Sequence, residues 1–309
     1  ILGNNARNLL YIKKFNDKKG IRLANNKLQT KDFLTERGIP FAKTYGIISN
    51  RKELYEFDFF YLPKKNFVVK PNQWSKGQGV YIVKYLEEAH SEGYYLESNH
   101  IPKNRFQKQR DRIQKIFFPH FEQHHGGTYQ IWDTILKDKW FRRRLLDILD
   151  GKYSMTLWGD KIIIEEKLVA WELFKEFCEY GLADIRVIVF NLVPVATMIR
   201  VPTEQSWGKA NLAQWGLGLG IEVGSGKITS MLRKNKIYKT KFPKKFAHFQ
   251  NKKIPYRNDI LFLSSKVQYF VNLGYLALDR VITSEGPKLL EINARAWLEV
   301  QKVTDTKLK

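Results

Sequence analysis

The sequence predicts a mixed fold of helices and antiparallel strands, and three observations carry that expectation. Strand-like runs come in pairs joined by turn chemistry, around residues 67–84, 184–201 and 275–293. Segments with helical spacing and helix stops lie between them. At 309 residues, with 43% hydrophobic and 14% aromatic content, the chain can bury a substantial core, as one large domain or two to three lobes.

Residues 1–20 read as helical or irregular, because Asn and Lys punctuate short apolar groups. A helix is expected from Asn26, where Leu28, Phe33 and Leu34 share helical spacing and Gly38 before Ile39-Pro40 is a stop. Residues 45–48 predict a short strand and 51–57 the next helix. Phe67-Val68-Val69-Lys70-Pro71 is a strand ending in a lysine, followed by Asn72-Gln73-Trp74-Ser75-Lys76-Gly77-Gln78-Gly79 and a strand over 80–84. A glycine loop between strands can lay backbone N–H groups over phosphate oxygens. It opens no helix, so it is neither a P-loop nor a dinucleotide fingerprint, and alone it is simply a turn.

Residues 85–150 are the least regular, with helical potential at 106–117 and 131–149. His120, Glu122, His124 and His125 lack metalloprotease order and read as a histidine-bearing surface loop. Arg142-Arg143-Arg144 reads as a solvated helix face. A strongly apolar strand follows at 161–168, then strands at 184–190 and 193–201 that read as antiparallel neighbours. Lys209-Ala210-Asn211-Leu212 leads into Gly216, Gly218 and Gly220, and residues 262–273 have helical spacing.

The last hairpin carries the most chemistry. Strands over 275–283 and 288–293 are joined by Ser284-Glu285-Gly286-Pro287, which has turn composition. Side chains two apart on a strand share a face, so Glu291 and Asn293 project together, and pairing can bring Asp279 beside them. Such an oxygen cluster suits a hard cation such as Mg2+ holding phosphates. On its own it reads as the polar face of an ordinary hairpin.

Composition bounds the partners. No run of about 18 apolar residues predicts a membrane span. The opening Ile1-Leu2-Gly3-Asn4-Asn5-Ala6-Arg7 lacks a signal-peptide core, and the missing Met is compatible with a trimmed start. Cys178 is the single cysteine, which excludes an intrachain disulfide and fits a reducing cytoplasm. The formal net charge of +22 favours an acidic or polyanionic partner, whether nucleic acid, anionic surface or nucleotide phosphate.

Taken in order, strand-Lys70-glycine loop, Ile163-Ile164-Glu165-Glu166, Asp184-Ile185-Arg186-Val187, Arg200-Val201-Pro202-Thr203, Lys209-Ala210-Asn211 and Asp279 with Glu291-Ile292-Asn293 form a specific series. The series resembles the ATP-grasp superfamily, and within it the alpha-L-glutamate ligase-like proteins related to the ligase that adds glutamates to ribosomal protein S6. Asn5-Ala6-Arg7-Asn8 also looks like that subgroup's N-terminus.

The resemblance implies an α+β ATP-grasp fold, two α+β lobes with antiparallel sheets sandwiching ATP. It implies a segment over 1–60, a first lobe over 61–164 with a basic insertion at about 85–150, and a second lobe over 165–309. Lys27 and Lys70 match the lysines on nucleotide phosphates. Ser75, Gly77 and Gly79 match the lid, and Glu165, Glu166 and Leu168 the adenine hinge. Asp184 matches an acidic group near the ribose. Arg186, Arg200 and Asn211 match groups near the phosphates and the reacting carboxylate. Asp279, Glu291 and Asn293 match ligands of Mg2+, with Mn2+ as the alternative.

The implied activity is an ATP-dependent ligase that joins a carboxylate and an amine through an acyl phosphate. The amine would be an amino acid or similar, and the acceptor a peptide, protein or metabolite. The departures are Trp74 and Lys76 in the lid, Asn26 before Lys27, Ala213 and Trp215 after Asn211-Leu212, and Ala296-Trp297 after the metal motif. The last two sets border the acceptor side. Two other readings compete: an ATP-grasp enzyme that modifies a sugar-linked precursor, and a non-catalytic binder of nucleic acid or another polyanion.

Overall fold

The computed structural model describes residues 3–64, 66–73, 79–86, 128–131, 134–154, 159–206, 208–296 and 298–304. The chain divides into two units, one of residues 43–167 and one that joins residues 1–42 to 168–309. The first 60 residues therefore contribute to both.

The unit of residues 43–167 is built on six antiparallel strands: β1 (Thr44–Ile48), β2 (Asn66–Pro71), β3 (Tyr81–Leu86), β4 (Thr128–Ile131), β5 (Thr134–Lys137) and β6 (Ile162–Glu166), in the order β1-β6-β2-β3-β4-β5. Alternation along β2 buries Phe67 and Val69 on one face and turns Val68 and Lys70 to the other. Helix Asp138–Leu149 covers the buried face with Phe141, Leu145 and Ile148, spaced four and three residues apart. That helix is shorter than the expected 131–149, because residues 134–137 pair with β4 as a strand.

Arg142 is not solvated, contrary to the expectation for the arginine triplet. Its Nε donates to Asp138 at 2.6 Å, its Nη1 donates to the Leu54 carbonyl, and its guanidinium lies over the Phe59 ring. Its position, four residues after Asp138 on the packed helix face, makes it a core anchor. Arg144 is exposed.

The other unit holds seven antiparallel strands: β7 (Asp184–Phe190), β8 (Val193–Val201), β9 (Leu217–Ile221), β10 (Ile228–Arg233), β11 (Lys236–Tyr238), β12 (Tyr275–Thr283) and β13 (Gly286–Asn293). Their order is β11-β10-β9-β8-β7-β12-β13. On one face Ile185, Val187, Leu276 and Leu278 pack in a core with Ile260 and Val267 of helix Arg257–Val271. On the other, Met198 and Ala277 pack with Ile12 of the N-terminal helical segment and with Val300 and Val303 of helix Glu299–Thr304.

The glycine-spaced run is strand β9, which periodicity had left unassigned. A Cβ on Gly218 would lie 2.9 Å from Val303 Cγ2, and one on Gly220 would lie 2.8 Å from the Val303 carbonyl. Glycine lets helix Glu299–Thr304 approach the strand closely. Helix Lys27–Thr35 starts where expected, with Asn26 Oδ1 accepting from Gln29 N–H at 3.1 Å as its N-cap. Among the described residues, no helix is long and apolar enough to cross a membrane.

Candidate functional site

Strand register assembles the charged cluster of the seven-stranded sheet. Asp184 stands opposite Arg200 on β8, Arg186 opposite Asp279 on β12, and Asp279 opposite Glu291 on β13. Cross-strand partners share a face, so the four strands bring all five side chains together. Arg186 Nε and Nη2 donate to the two Asp279 oxygens at 2.7 and 2.6 Å. Arg200 clamps Asp184 the same way, at 2.6 Å for both bonds, and its Nη2 also lies 2.7 Å from Asp279 Oδ2. Bidentate forks of this kind are the strong form of the arginine–carboxylate contact.

Asp279 is only 1% exposed. Burial opposes its ionisation, but Arg186 and Arg200 outweigh it and hold the carboxyl well below the usual carboxylate range. Burial pushes the Asp184 carboxyl up, to about 6, against the pull of Arg200 and with help from the Asp279 charge. The sheet pairs Asp184 with Arg200, its cross-strand neighbour.

Glu291 and Asn293 are half-buried. Asn293 Nδ2 donates to Asp279 Oδ2 at 3.2 Å and to Glu291 Oε1 at 3.3 Å, so the three predicted metal ligands do meet. Two carboxylates and an amide form an all-oxygen donor set once the amide is turned, which suits Mg2+ better than a softer metal. Both Asp279 oxygens already accept from guanidinium groups, whereas Glu291 forms no ion pair among the described residues. Glu291 is therefore the carboxylate whose charge remains available to a cation. Asn211, matched from sequence to a group near the reacting carboxylate, opens the turn after β8, and its Oδ1 accepts from Ala213 N–H at 3.1 Å. Lys27 is the first residue of its helix.

In the unit of residues 43–167, Lys70 Nζ lies 2.6 Å from Glu165 Oε2 on the non-core face of the sheet. Glu166 donates its N–H to the Lys43 carbonyl at 2.8 Å, and its side chain meets Lys64 at 3.3 Å. The Leu168 side chain packs in a small cluster of the other unit with Ala42 and Val281.

Ser75 and Gly77, with Trp74 and Lys76, lie outside the described residues, as do His120, Glu122, His124, His125 and Trp297. Both ends of that loop are described. Asp160 Oδ2 accepts from Gln73 N–H at 2.8 Å at one end. At the other, Gly79 has φ +73°, and a Cβ there would lie 2.6 Å from the Tyr153 ring. Positive φ and the ring contact both demand glycine.

The family model for sugar-transfer associated ATP-grasp proteins matches residues 6–111 and 115–309. The chain belongs to that ATP-grasp family. Among solved structures it is similar to the ATP-grasp ligase PsnB complexed with minimal precursor, at 10% identity and TM-score 0.44, covering 95% of this chain and 59% of that one. It is also similar to the D-alanine–D-alanine ligase from Bacillus anthracis, at 12% identity and TM-score 0.40, covering 90% of this chain and 59% of that one. This ATP-grasp chain thus spans under two thirds of the length of those structures. No curated protein matches it.

The ATP-grasp reading from sequence missed Asp160 and Tyr153, which hold the two ends of the glycine loop. Nothing near them in sequence marks that role, since their partners Gln73 and Gly79 lie over 70 residues away.

Proposed function

We propose that this ATP-grasp chain is an Mg2+-ATP-dependent ligase that joins a carboxylate to an amine. The observation that carries the reading is the Asp279–Glu291–Asn293 oxygen cluster flanked by Arg186 and Arg200. Glu291, Asn293 and Asp279 would hold the metal, which supplies charge neutralisation to the phosphates when bound. Lys70 and Lys27 would contact phosphate oxygens, and Glu165, held against Lys70, would orient that lysine. Gly79 and the loop before it would cover the nucleotide and exclude water.

A carboxylate oxygen of one substrate displaces ADP from the γ-phosphorus, giving an acyl phosphate. The amine nitrogen then displaces phosphate from the acyl carbon and releases one proton. Positioning and cationic stabilisation suffice for both steps, which agrees with a cluster rich in arginine and carboxylate. The sequence resemblance to glutamate ligase-like proteins supports an amino acid as the amine. The family's association with sugar transfer favours a sugar-linked acceptor over a protein tail.

Calorimetry with Mg2+-ATP tests the nucleotide half of the proposal. We expect binding in the parent chain, weakened roughly tenfold or more in Lys70→Ala through loss of one charge-assisted contact. A parent chain that does not bind Mg2+-ATP would remove the ligase reading. Steep salt-dependent binding to generic DNA without nucleotide affinity would support the polyanion reading instead.

A further inference from the structure

Trp215, one of the departures from the ATP-grasp pattern, has an unusual setting. Trp215 is 60% exposed, yet its backbone is fixed in the left-handed region, with φ 70° and ψ 15°. A bulky L-residue rarely adopts that conformation, and it persists only where surrounding contacts impose it. Those contacts are present. The Trp215 carbonyl accepts from Thr203 Oγ1 at 2.9 Å, and its N–H donates to the Leu212 carbonyl at 3.3 Å. The next residue, Gly216, donates to the Asn211 carbonyl at 3.1 Å, and a Cβ there would lie 2.9 Å from the Ala210 carbonyl. The facing stretch is held in turn by Thr203 N–H donating to Ser206 Oγ at 2.8 Å. The turn is built, and it presents an indole to solvent.

Its place in the sheet gives this meaning. Arg200 stands opposite Gly218 and Val201 opposite Leu217, while Thr203 bonds the carbonyl of Trp215. Trp215 therefore sits at the end of β8 and β9 nearest Arg200, on the order of 7–10 Å beyond it along the strands. It shares its turn with Asn211. Arg200 spends Nε and Nη2 on Asp184 and Asp279, and its Nη1 has no hydrogen bond among the described residues. The turn that carries Trp215 and the strand position of Arg200 thus lie at the same end of β8 and β9.

We propose that Trp215 is the platform for the acceptor substrate, and that this acceptor is a pyranose bearing a carboxylate. The apolar C–H face of the ring stacks on the indole, and the carboxylate lies toward Arg200, where it can be activated. This rests on the ligase reading above and names its acceptor class. A pyranose supplies both parts of the match: a face of C–H groups for an aromatic platform and, as a uronate, an anion for the arginine.

The test uses the full chain with the methyl glycosides of glucuronic acid and glucose, titrated by calorimetry and by saturation-transfer NMR, beside Mg2+-ATP. The glucuronide should bind at least fivefold tighter than the glucoside. Trp215→Asn, which tolerates left-handed backbone without supplying a ring, should weaken the glucuronide roughly tenfold and leave Mg2+-ATP affinity unchanged. Trp215→Phe should retain most of the affinity. Equal binding by parent and Trp215→Asn, equal affinity for the two glycosides, or no glycoside binding by a parent that binds Mg2+-ATP would each overturn the proposal while sparing the ligase reading. A parent that binds the glucuronide but not Mg2+-ATP would do the reverse.

Discussion

Asp279 and Arg280 are neighbours on β12 and serve opposite faces of the same sheet, which treat charge very differently. Asp279 is fully buried but is met by the Arg186 fork, by Arg200 Nη2 and by an amide. Arg280 is 0% exposed on the face packed against helix Arg257–Val271, where its Nε donates to Ser264 Oγ at 3.2 Å. Its two terminal nitrogens have no hydrogen-bond partner among the described residues. Burial alone lowers the Arg280 guanidinium, to about 9. On one face buried charge is met by opposite charge, and on the other it is a cost to the core.

Three substitutions break or sharpen that contrast. Asp279→Ala removes the carboxylate shared by Arg186 and Arg200 and leaves two buried cations under-compensated. Urea unfolding should show a loss of about 3–5 kcal/mol, and an unchanged midpoint would mean that the network is not load-sharing. Arg280→Met replaces an uncompensated buried cation with an apolar side chain of similar length. It should be neutral or raise stability, by about 1–4 kcal/mol, while Mg2+-ATP affinity stays at the parent value. A marked loss of stability would show that Arg280 has a partner that matters.

Glu291→Gln has the smallest effect on folding, within about 0.5 kcal/mol, because that carboxylate is half-buried and forms no ion pair among the described residues. Its effect should fall on the metal, with Mg2+-ATP binding weakened tenfold or more. Thermal shift with and without Mg2+ separates the two, and a variant that retains the full Mg2+-dependent shift would take Glu291 out of the metal site.

Much of this was legible in the chain. The hairpin, Glu291 and Asn293 on one face of its second strand, the lysine at the end of β2 and the helix from Asn26 all follow from local pattern, because strand alternation and turn chemistry act over a few residues. Arg142 was misread because its partner carbonyl belongs to Leu54, 88 positions away. The glycines of β9 carry no strand signal because helix Glu299–Thr304, the reason for them, is about 80 residues downstream.

By itself the sequence determined which oxygen-bearing and basic side chains exist, and which faces of the strands they occupy. Period-two alternation decides that without reference to the rest of the molecule. Only the tertiary structure decided which charge meets which: Arg200 with Asp184 and Asp279, Glu291 left for a cation, Arg280 stranded in the core and Trp215 fixed in solvent. Ion pairs and exposure depend on strand order and on what packs against each face, and both are set by contacts between distant parts of the chain.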